Sequence, residues 1–346
     1  MSFELILPFL RPIESLLLDD SVSEIMGNPD GLWWYERRGK LYPAHEVKFE
    51  TRQLLTSLDV IANKLGRKLG ADKPLLNAQL PDGSRLAAVI PPVVRPYPSV
   101  TIRKFARTRY TLPLLIQEGA LDESLGEFLS GLIGAGKTIL ISGGTGSGKT
   151  TLLNALTDFI PESERIVVIE DTSELRIAKP NLLPAECQTD GHTGQVSFND
   201  LLKAALRWRP DRIILGEVRG DEARTLLDSF NTGHAGSMAT IHASSAVKAL
   251  RRFGELAMRS HQQANRDDIA AEIADSVQYV VQVQRYADGR KVSEVVELLG
   301  YDRTAKVFEF ATKFNRADFT NSAQLALPAE WAQFDRPVSS AAPIHH

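Results

Sequence analysis

The chain has 346 residues and a formal net charge of −3 at pH 7, with 43% hydrophobic and 24% charged residues. This length predicts two domains or one large one, and the composition is that of an ordinary globular protein. The slightly acidic balance offers no basic stripe, so no direct sequence-specific binding of nucleic acid is expected. The single cysteine, Cys187, excludes an internal disulfide and a tetracysteine zinc site, and it fits a reducing cytosol.

The apolar stretch from Phe3 to Leu18 is interrupted by charged residues and prolines. Such a stretch cannot cross the hydrocarbon core of a membrane, and it lacks the uninterrupted apolar region of a signal peptide. We therefore expect a cytoplasmic protein that is not secreted, with peripheral contact to a membrane left open.

Residues 1–105 are predicted to form a separate, smaller α+β domain. Apolar residues recur at helical spacing from Leu54 to Leu69, which predicts one amphipathic helix that ends near Gly70. Short strand-like runs surround this helix at residues 32–35, 85–90 and 99–102. Residues 106–112 are expected to be a linker.

Strands and helices alternate from 113 to 315, which is typical of a parallel α/β sheet. The predicted strands lie at 138–142, 166–169, 212–216 and 238–241, and the predicted helices at 151–156, 198–208 and 221–233. Ser197, with Asp200 three residues later, is close to a capping box, and Asp288-Gly289 predicts a hairpin. The remaining residues, 316–346, lack periodicity and are expected to be a partly mobile tail.

Residues 143–150 read Gly-Gly-Thr-Gly-Ser-Gly-Lys-Thr, which matches the Walker A pattern G-x-x-x-x-G-K-S/T in full. An apolar strand precedes this loop and a helix follows it, so backbone N–H groups and the helix dipole would face a phosphate. Lys149 would reach the β- and γ-phosphates, and the Thr150 hydroxyl would ligate Mg²⁺. The predicted nucleotide-binding residues of the loop are Gly143, Gly144, Thr145, Gly146, Ser147, Gly148, Lys149, Thr150 and Thr151. The chain is therefore expected to bind a nucleoside triphosphate.

Acidic residues follow two of the other predicted strands. Ligands of open α/β sheets bind beyond the carboxyl ends of the strands, so these residues are expected at the same edge as the loop. Glu217 is predicted to be a general base or to orient the attacking water. Glu170 is predicted to serve Mg²⁺ and its waters, with Asp171 or Glu174 as lesser candidates and a turn cap as the structural alternative.

Two histidines, His234 and His242, lie among glycines in residues 232–243. An imidazole near the loop could sense the γ-phosphate, and His242 is the stronger candidate, while a structural role is the alternative for His234. A zinc site is not expected, because no third ligand of zinc type lies nearby. The predicted catalytic residues are thus Lys149, Glu170, Glu217 and His242.

Four motifs occur in a fixed order: the Walker A loop, the acidic box at 169–175, the run at 210–219 and the histidine box at 232–243. The third ends its strand in Gly216-Glu217, where most phosphate-loop enzymes have an aspartate. In this combination, residues 15–315 resemble the hexameric secretion ATPases of type II and type IV secretion systems, also called traffic ATPases. Within the family, residues 20–31 resemble the conjugal-transfer and type IV branch. The tetracysteine zinc insertion of some type II members is absent, which argues against the type II branch.

The resemblance implies a RecA-like P-loop domain of the α/β class, preceded by the α+β domain. It also implies a ring, a homohexamer, that hydrolyses ATP with Mg²⁺ at the cytoplasmic face of the inner membrane and works with secretion or conjugation machinery proteins. A motor for type IV pilus or type II secretion assembly is the alternative within the family.

Arginines of the first domain acquire a role through the same resemblance. Arg85 and Arg103 match segments whose arginines contact the nucleotide phosphates in relatives. Guanidinium groups can stabilise the negative charge that develops on the phosphates during hydrolysis. Exposed strand-end charges are the structural alternative for both. For Arg219, which follows Glu217 closely, a place in the subunit interface and a place in the site are equally open.

A RecA-type nucleic-acid translocase is disfavoured because the chain lacks a basic stripe or a base-stacking platform. A GTPase is disfavoured because no Asn-Lys-x-Asp motif follows the loop. A nucleotide-gated assembly scaffold with little hydrolysis is the alternative outside enzymology.

Overall fold

The computed structural model describes residues 2–37, 39–105, 109–188, 195–259 and 265–318. The chain folds as two compact units. The first contains the residues up to Arg109 together with Thr172–Glu174, and the second contains Tyr110–Asp171 and the described residues after Glu174 other than Gln195.

The first unit is built on an antiparallel sheet. Short 3-10 helices at Phe3–Leu5 and Leu7–Ile13 precede two helices and six strands, which are α1 (Glu14–Leu18), β1 (Val22–Gly27), β2 (Trp33–Arg37), β3 (Lys40–Pro43), α2 (Thr51–Lys64), β4 (Leu75–Gln79), β5 (Arg85–Val89) and β6 (Ser99–Arg103). The sheet order is β3-β2-β1-β6-β5-β4. Its core joins the helices to one face of the sheet, with Leu58 and Ile61 of α2 and Ile25 of β1 fully buried. This unit has the α+β character predicted from the sequence.

Helix α2 ends earlier than its leucine spacing predicted. It stops at Lys64 rather than near Gly70, because Gly66 adopts a positive φ of 68°. The N–H of Gly66 donates to the Asn63 carbonyl and that of Arg67 to the Ala62 carbonyl. These two bonds form a Schellman motif, which satisfies the last carbonyls of the helix and turns the chain away.

The second unit contains the remaining elements. They are α3 (Leu112–Gln117), α4 (Glu123–Gly134), β7 (Ile139–Gly143), α5 (Lys149–Leu156), β8 (Ile166–Glu170), β9 (Leu182–Glu186), α6 (Phe198–Ala205), β10 (Arg212–Val218), α7 (Glu222–Asn231), β11 (Met238–Ile241), α8 (Ala246–Met258), α9 (Arg266–Ser276), β12 (Tyr279–Tyr286), β13 (Gly289–Asp302) and β14 (Val307–Asn315). Short 3-10 helices lie at Thr157–Phe159 and Arg316–Asp318.

One sheet of order β14-β13-β12-β7-β11-β10-β8-β9 runs through the second unit. The pairs from β12 to β9 are parallel, whereas β12, β13 and β14 pair antiparallel. Alternate residues of the strands pack against α3, α4 and α5 on one face and against α6 to α9 on the other. The predicted parallel α/β sheet is thus confirmed.

The predicted elements of the second unit are present with small shifts at their ends. The capping box of Ser197 and Asp200 forms at the start of α6, but the helix ends at Ala205 rather than at Trp208. Arg209, which precedes Pro210, has a φ of 55°. A proline disfavours helical conformation in the residue before it, so the helix cannot run up to this point. The sequence did not predict β9 and β14.

The end of the described chain is held by one side chain. Arg316 donates to the carbonyl oxygens of Val292 at 2.8 Å and of Ala120 at 3.2 Å. The rest of the predicted tail, 319–346, lies outside the described residues.

Within the described ranges, no helix is both long enough and apolar enough to span a membrane.

Candidate functional site

The loop between β7 and α5 needs glycine at three positions. Gly146 and Gly148 have φ angles of 68° and 100°, a region that residues with a Cβ rarely adopt. A Cβ added to Gly143 would lie 2.4 Å from the Ser147 hydroxyl oxygen and 2.4 Å from the Val283 carbonyl oxygen. Larger residues would therefore block the tight path of this loop.

Lys149, the first residue of α5, folds back over the loop and is 7% exposed. Its Nζ donates to the carbonyl oxygens of Gly143 at 3.1 Å and Gly144 at 3.0 Å. The Ser147 hydroxyl is buried and finds no hydrogen-bond partner within the described part of the chain. An ammonium group, an unsatisfied hydroxyl and the N-terminus of α5 together suit a bound phosphate. Thr150 and Thr151 follow, half-buried, on α5.

The predicted site residues of the second unit gather at one edge of its sheet. The phosphate-binding loop follows β7, His242 follows β11, Glu217 lies in β10 and Glu170 ends β8. The strands β7, β11, β10 and β8 are consecutive neighbours and run parallel. Their carboxyl ends therefore meet at the same edge, as predicted from the sequence.

A β-bulge in β10 turns Glu217 toward the loop. The pairing of β10 with β11 passes from Leu215–Ala239 to Val218–Ile241, so β10 has one extra residue there. Leu215 and Val218 both pack in the core shared with α6 to α9, and strict alternation from Leu215 would have placed Glu217 on that face too. The bulge redirects Glu217, and the Thr240 hydroxyl donates to the Gly216 carbonyl at 2.6 Å beside it.

His242 lies between Glu217 and Lys149 and contacts both. The Nε2 atom of His242 lies 3.1 Å from Oε1 of Glu217 and 3.5 Å from Nζ of Lys149. Burial, reinforced by the Lys149 ammonium, lowers the pKa of His242 below its usual value, although Glu217 opposes this. The lowered pKa favours the neutral imidazole, and the tautomer with its proton on Nε2 can donate to the Glu217 carboxylate.

Arg219 reaches both Glu217 and Asp171. One guanidinium nitrogen donates to Oε2 of Glu217 at 2.8 Å, and the other donates to Oδ2 of Asp171 at 3.3 Å. The hydrogen bond with Glu217 raises the pKa of Arg219, so its charge is retained. Of the two alternatives left open by the sequence, this geometry favours the site.

Glu170 has different surroundings from Glu217. It is 5% exposed, and its Oε1 accepts the Leu175 N–H at 3.0 Å, which closes the turn after β8. Among the described residues, no group of three or more His, Cys, Asp or Glu could hold a metal ion. A Mg²⁺ ion held by Thr150, phosphates and waters needs no such group. The role of Glu170 and Thr150 at Mg²⁺ stays a prediction.

Arg85 and Arg103 are register partners on β5 and β6 of the first unit. Arg85 forms an ion pair with Glu174 at 3.2 Å and donates to the Thr172 carbonyl at 3.3 Å. Arg103 is exposed and pairs in register with Glu24 on β1. The contact of Arg85 and Arg103 with nucleotide phosphates stays a prediction.

His234 is tied to the end of α7. Its Nδ1 atom lies 3.1 Å from the Ser229 carbonyl oxygen, and the His234 carbonyl accepts a hydrogen bond from the Ser237 hydroxyl at 2.7 Å. These contacts favour the structural alternative for this histidine.

The glycine-bent loop between β7 and α5, with polar side chains at the ends of the neighbouring parallel strands, defines a P-loop protein with a RecA-like sheet. Residues 10–307 match the family described as "Type II/IV secretion system protein", and the chain belongs to that family.

Relatives of the chain carry names from conjugation and secretion. The probable conjugal transfer protein TrbB of Sinorhizobium fredii is 37% identical over 287 residues, which cover 81% of this chain and 85% of that protein. The type IV secretion system protein VirB11 of Bartonella quintana is 33% identical over 330 residues, which cover 84% and 92%. The X-ray structure of the Legionella pneumophila ATPase DotB, 20% identical, matches 88% of this chain and 83% of its own with a TM-score of 0.57. At that identity the likeness to DotB shows the shared fold.

Proposed function

We propose that this chain is an ATPase that drives a type IV secretion or conjugation apparatus. The observation that carries the proposal is the contact of Glu217 with His242 directly beside Lys149 of the phosphate-binding loop. A loop alone binds a nucleotide, whereas a carboxylate held next to it can also position and deprotonate an attacking water. The names of the relatives TrbB and VirB11 supply the biological setting.

The residues of the loop fit a nucleoside triphosphate with Mg²⁺. The N–H groups of residues 143–151 and the Lys149 ammonium would bind the phosphates, and the buried Ser147 hydroxyl would gain a partner. The Thr150 hydroxyl would ligate Mg²⁺, with Glu170 oriented toward its waters. When bound, Mg²⁺ neutralises phosphate charge.

Glu217 is the proposed acceptor of the water proton. His242, neutral and bonded to Oε1 of Glu217, orients the carboxylate and lies close enough to Lys149 to respond to the γ-phosphate. Lys149 now bonds to two loop carbonyls and would exchange them for phosphate oxygens. From the first unit, Arg85 and Arg103 would add charge that stabilises the phosphates in the transition state.

The wider setting follows from the family. We propose that the chain works as a homohexameric ring on the cytoplasmic side of an inner membrane, with the proteins of the secretion or conjugation machinery as partners. Assembly of a type IV pilus or a type II secretion system is the second setting within this family.

The proposal is tested by phosphate release from Mg·ATP over a range of protein concentrations. Lys149→Ala is the blank, because it removes the ammonium from the loop, and we expect it to lose nucleotide binding or turnover. Wild-type specific activity that rises with concentration supports an ATPase completed by assembly. Activity indistinguishable from the blank at every concentration overturns hydrolysis by the chain alone and supports a nucleotide-gated scaffold.

A further inference from the structure

Both oxygens of Glu217 are held by other side chains. His242 bonds to Oε1 and Arg219 to Oε2, and the Glu217 side chain is only 18% exposed. The second nitrogen of Arg219 reaches Asp171, which follows β8, the neighbour of β10. One guanidinium therefore bridges the ends of two adjacent strands, and the Glu217 carboxylate is oriented from two sides.

The Arg219 contacts are poorly suited to a purely stabilising role. Its side chain is 51% exposed, and ion pairs of that exposure contribute only about 0–1 kcal/mol to folding. Their geometry is more informative, because a planar fork with separate nitrogens can fix two carboxylates at a set spacing, which an ammonium group cannot. The arrangement thus controls orientation more than stability.

We propose that Arg219 is a positioning residue, which uses Asp171 as an anchor and holds Oε2 of Glu217 so that the remaining lone pairs of the carboxylate face the phosphate-binding loop. The inference rests on the proposed function, because it presupposes that Glu217 acts on the attacking water. A carboxylate keeps free acceptor sites while it accepts two hydrogen bonds, so this arrangement is compatible with proton transfer.

His242 reports on Arg219 independently of hydrolysis. The charged groups that act on the imidazole are Lys149 of α5, Glu217 of β10, Arg219 just after β10 and Arg252 of α8. The three cations lower the pKa of His242 and Glu217 raises it. Loss of the Arg219 charge removes one of the cations that lower the pKa of His242, so this pKa should rise.

The activity test compares Arg219→Gln, Arg219→Lys and the matched control Arg224→Gln. Arg224, on the helix α7 that follows β10 in the chain, also holds two carboxylates, those of Asp228 at 2.5 Å and Glu272 at 2.7 Å. We expect Arg219→Gln to lower kcat about 10- to 100-fold with little change in KM for ATP, the size of a positioning effect. Arg219→Lys should recover only part of the loss, and Arg224→Gln should leave kcat near wild type. Equal kcat in Arg219→Gln and Arg224→Gln overturns the proposal.

The second readout is an NMR titration of the His242 imidazole, assigned by loss of its signals in His242→Asn. Its pKa should rise in Arg219→Gln and stay low in Arg219→Lys and Arg224→Gln, because lysine keeps the charge. An unchanged pKa in Arg219→Gln overturns the contact between Arg219 and the site. This readout needs no turnover, so a wild-type protein that matches the Lys149→Ala blank would refute the proposed ATPase while the Arg219 contact is still tested.

Discussion

Two neighbouring strands of the second unit carry glutamates at their ends, and the two carboxylates are held in different ways. Glu170 is buried and accepts a backbone N–H of its own turn, that of Leu175. Glu217 is held by the side chains of His242 and Arg219. Glu217 thus lies among side chains beside the phosphate-binding loop, whereas the carboxylate of Glu170 caps a turn. In our proposal, Glu217 therefore handles the water and Glu170 supports Mg²⁺.

The largest effect is expected from Glu217→Gln. The amide cannot take up a proton from water, so kcat should fall about 10²- to 10⁴-fold, the usual size of a general-base effect. The affinity for ATP should change little, because the loop and Lys149 are untouched. Steady-state phosphate release and equilibrium binding of a fluorescent ATP analogue check the two expectations. Wild-type turnover in this variant would move the catalytic role to Glu170.

Glu170→Gln gives the contrasting measurement. The glutamine Oε1 can still accept the Leu175 N–H, so the fold should persist, and kcat should fall about 10-fold or less, below a general-base effect. Turnover should also need more Mg²⁺ than in wild type. Phosphate release against Mg²⁺ concentration tests this. A loss as large as that of Glu217→Gln would break the contrast between the two glutamates.

The contrast also requires a rigid loop that keeps Lys149 beside His242. In Gly143→Ala, the new Cβ would lie 2.4 Å from two oxygen atoms, whereas nothing lies within 4 Å of a Cβ at Gly144. We expect Gly143→Ala to destabilise the fold by about 1–3 kcal/mol, the range for overpacking. Gly144→Ala is the matched control and should be much milder in denaturant unfolding. Equal stability of the two variants would contradict the loop geometry.

The smallest expected effect is a decrease in the free energy of unfolding at acidic pH. Above pH ~6.5, the usual His pKa, the imidazole at 242 is neutral in both the folded and the unfolded chain. As the pH falls through that value, the unfolded chain binds a proton that the folded chain, with its lowered pKa, does not, so the free energy of unfolding decreases. Urea unfolding at about pH 7.5 and about pH 5.5 should show a larger decrease for wild type than for His242→Asn. A larger decrease in His242→Asn would reverse the sign and contradict a neutral imidazole.

Much of the second unit could be predicted from local sequence. The Walker A pattern fixes a strand, a loop and a helix in order, and the observed β7 and α5 begin within one or two residues of expectation. The strand-end rule correctly brought Glu170, Glu217 and His242 to one edge, because parallel strands align their carboxyl ends. The capping box of Ser197 was also local, and it forms as predicted.

What the sequence did not reveal depends on pairing between strands. The bulge at Gly216-Glu217 exists only relative to β11, so alternation along β10 alone would have turned Glu217 to the wrong face. The pairing of Arg85 with Arg103 likewise depends on the register of β5 and β6. The early end of α2 came from Gly66, whose turn overrode a leucine spacing that continued to Leu69. The predicted roles of these site residues await the experiments above.

The most direct test of these two roles is to identify the nucleotide that Glu217→Gln and Glu170→Gln each retain. Each variant is incubated with Mg·ATP, separated from free nucleotide and quenched. We expect ATP on Glu217→Gln and mostly ADP on Glu170→Gln, as on wild type. ADP formed on Glu217→Gln at the wild-type rate would contradict the assignment of the catalytic carboxylate.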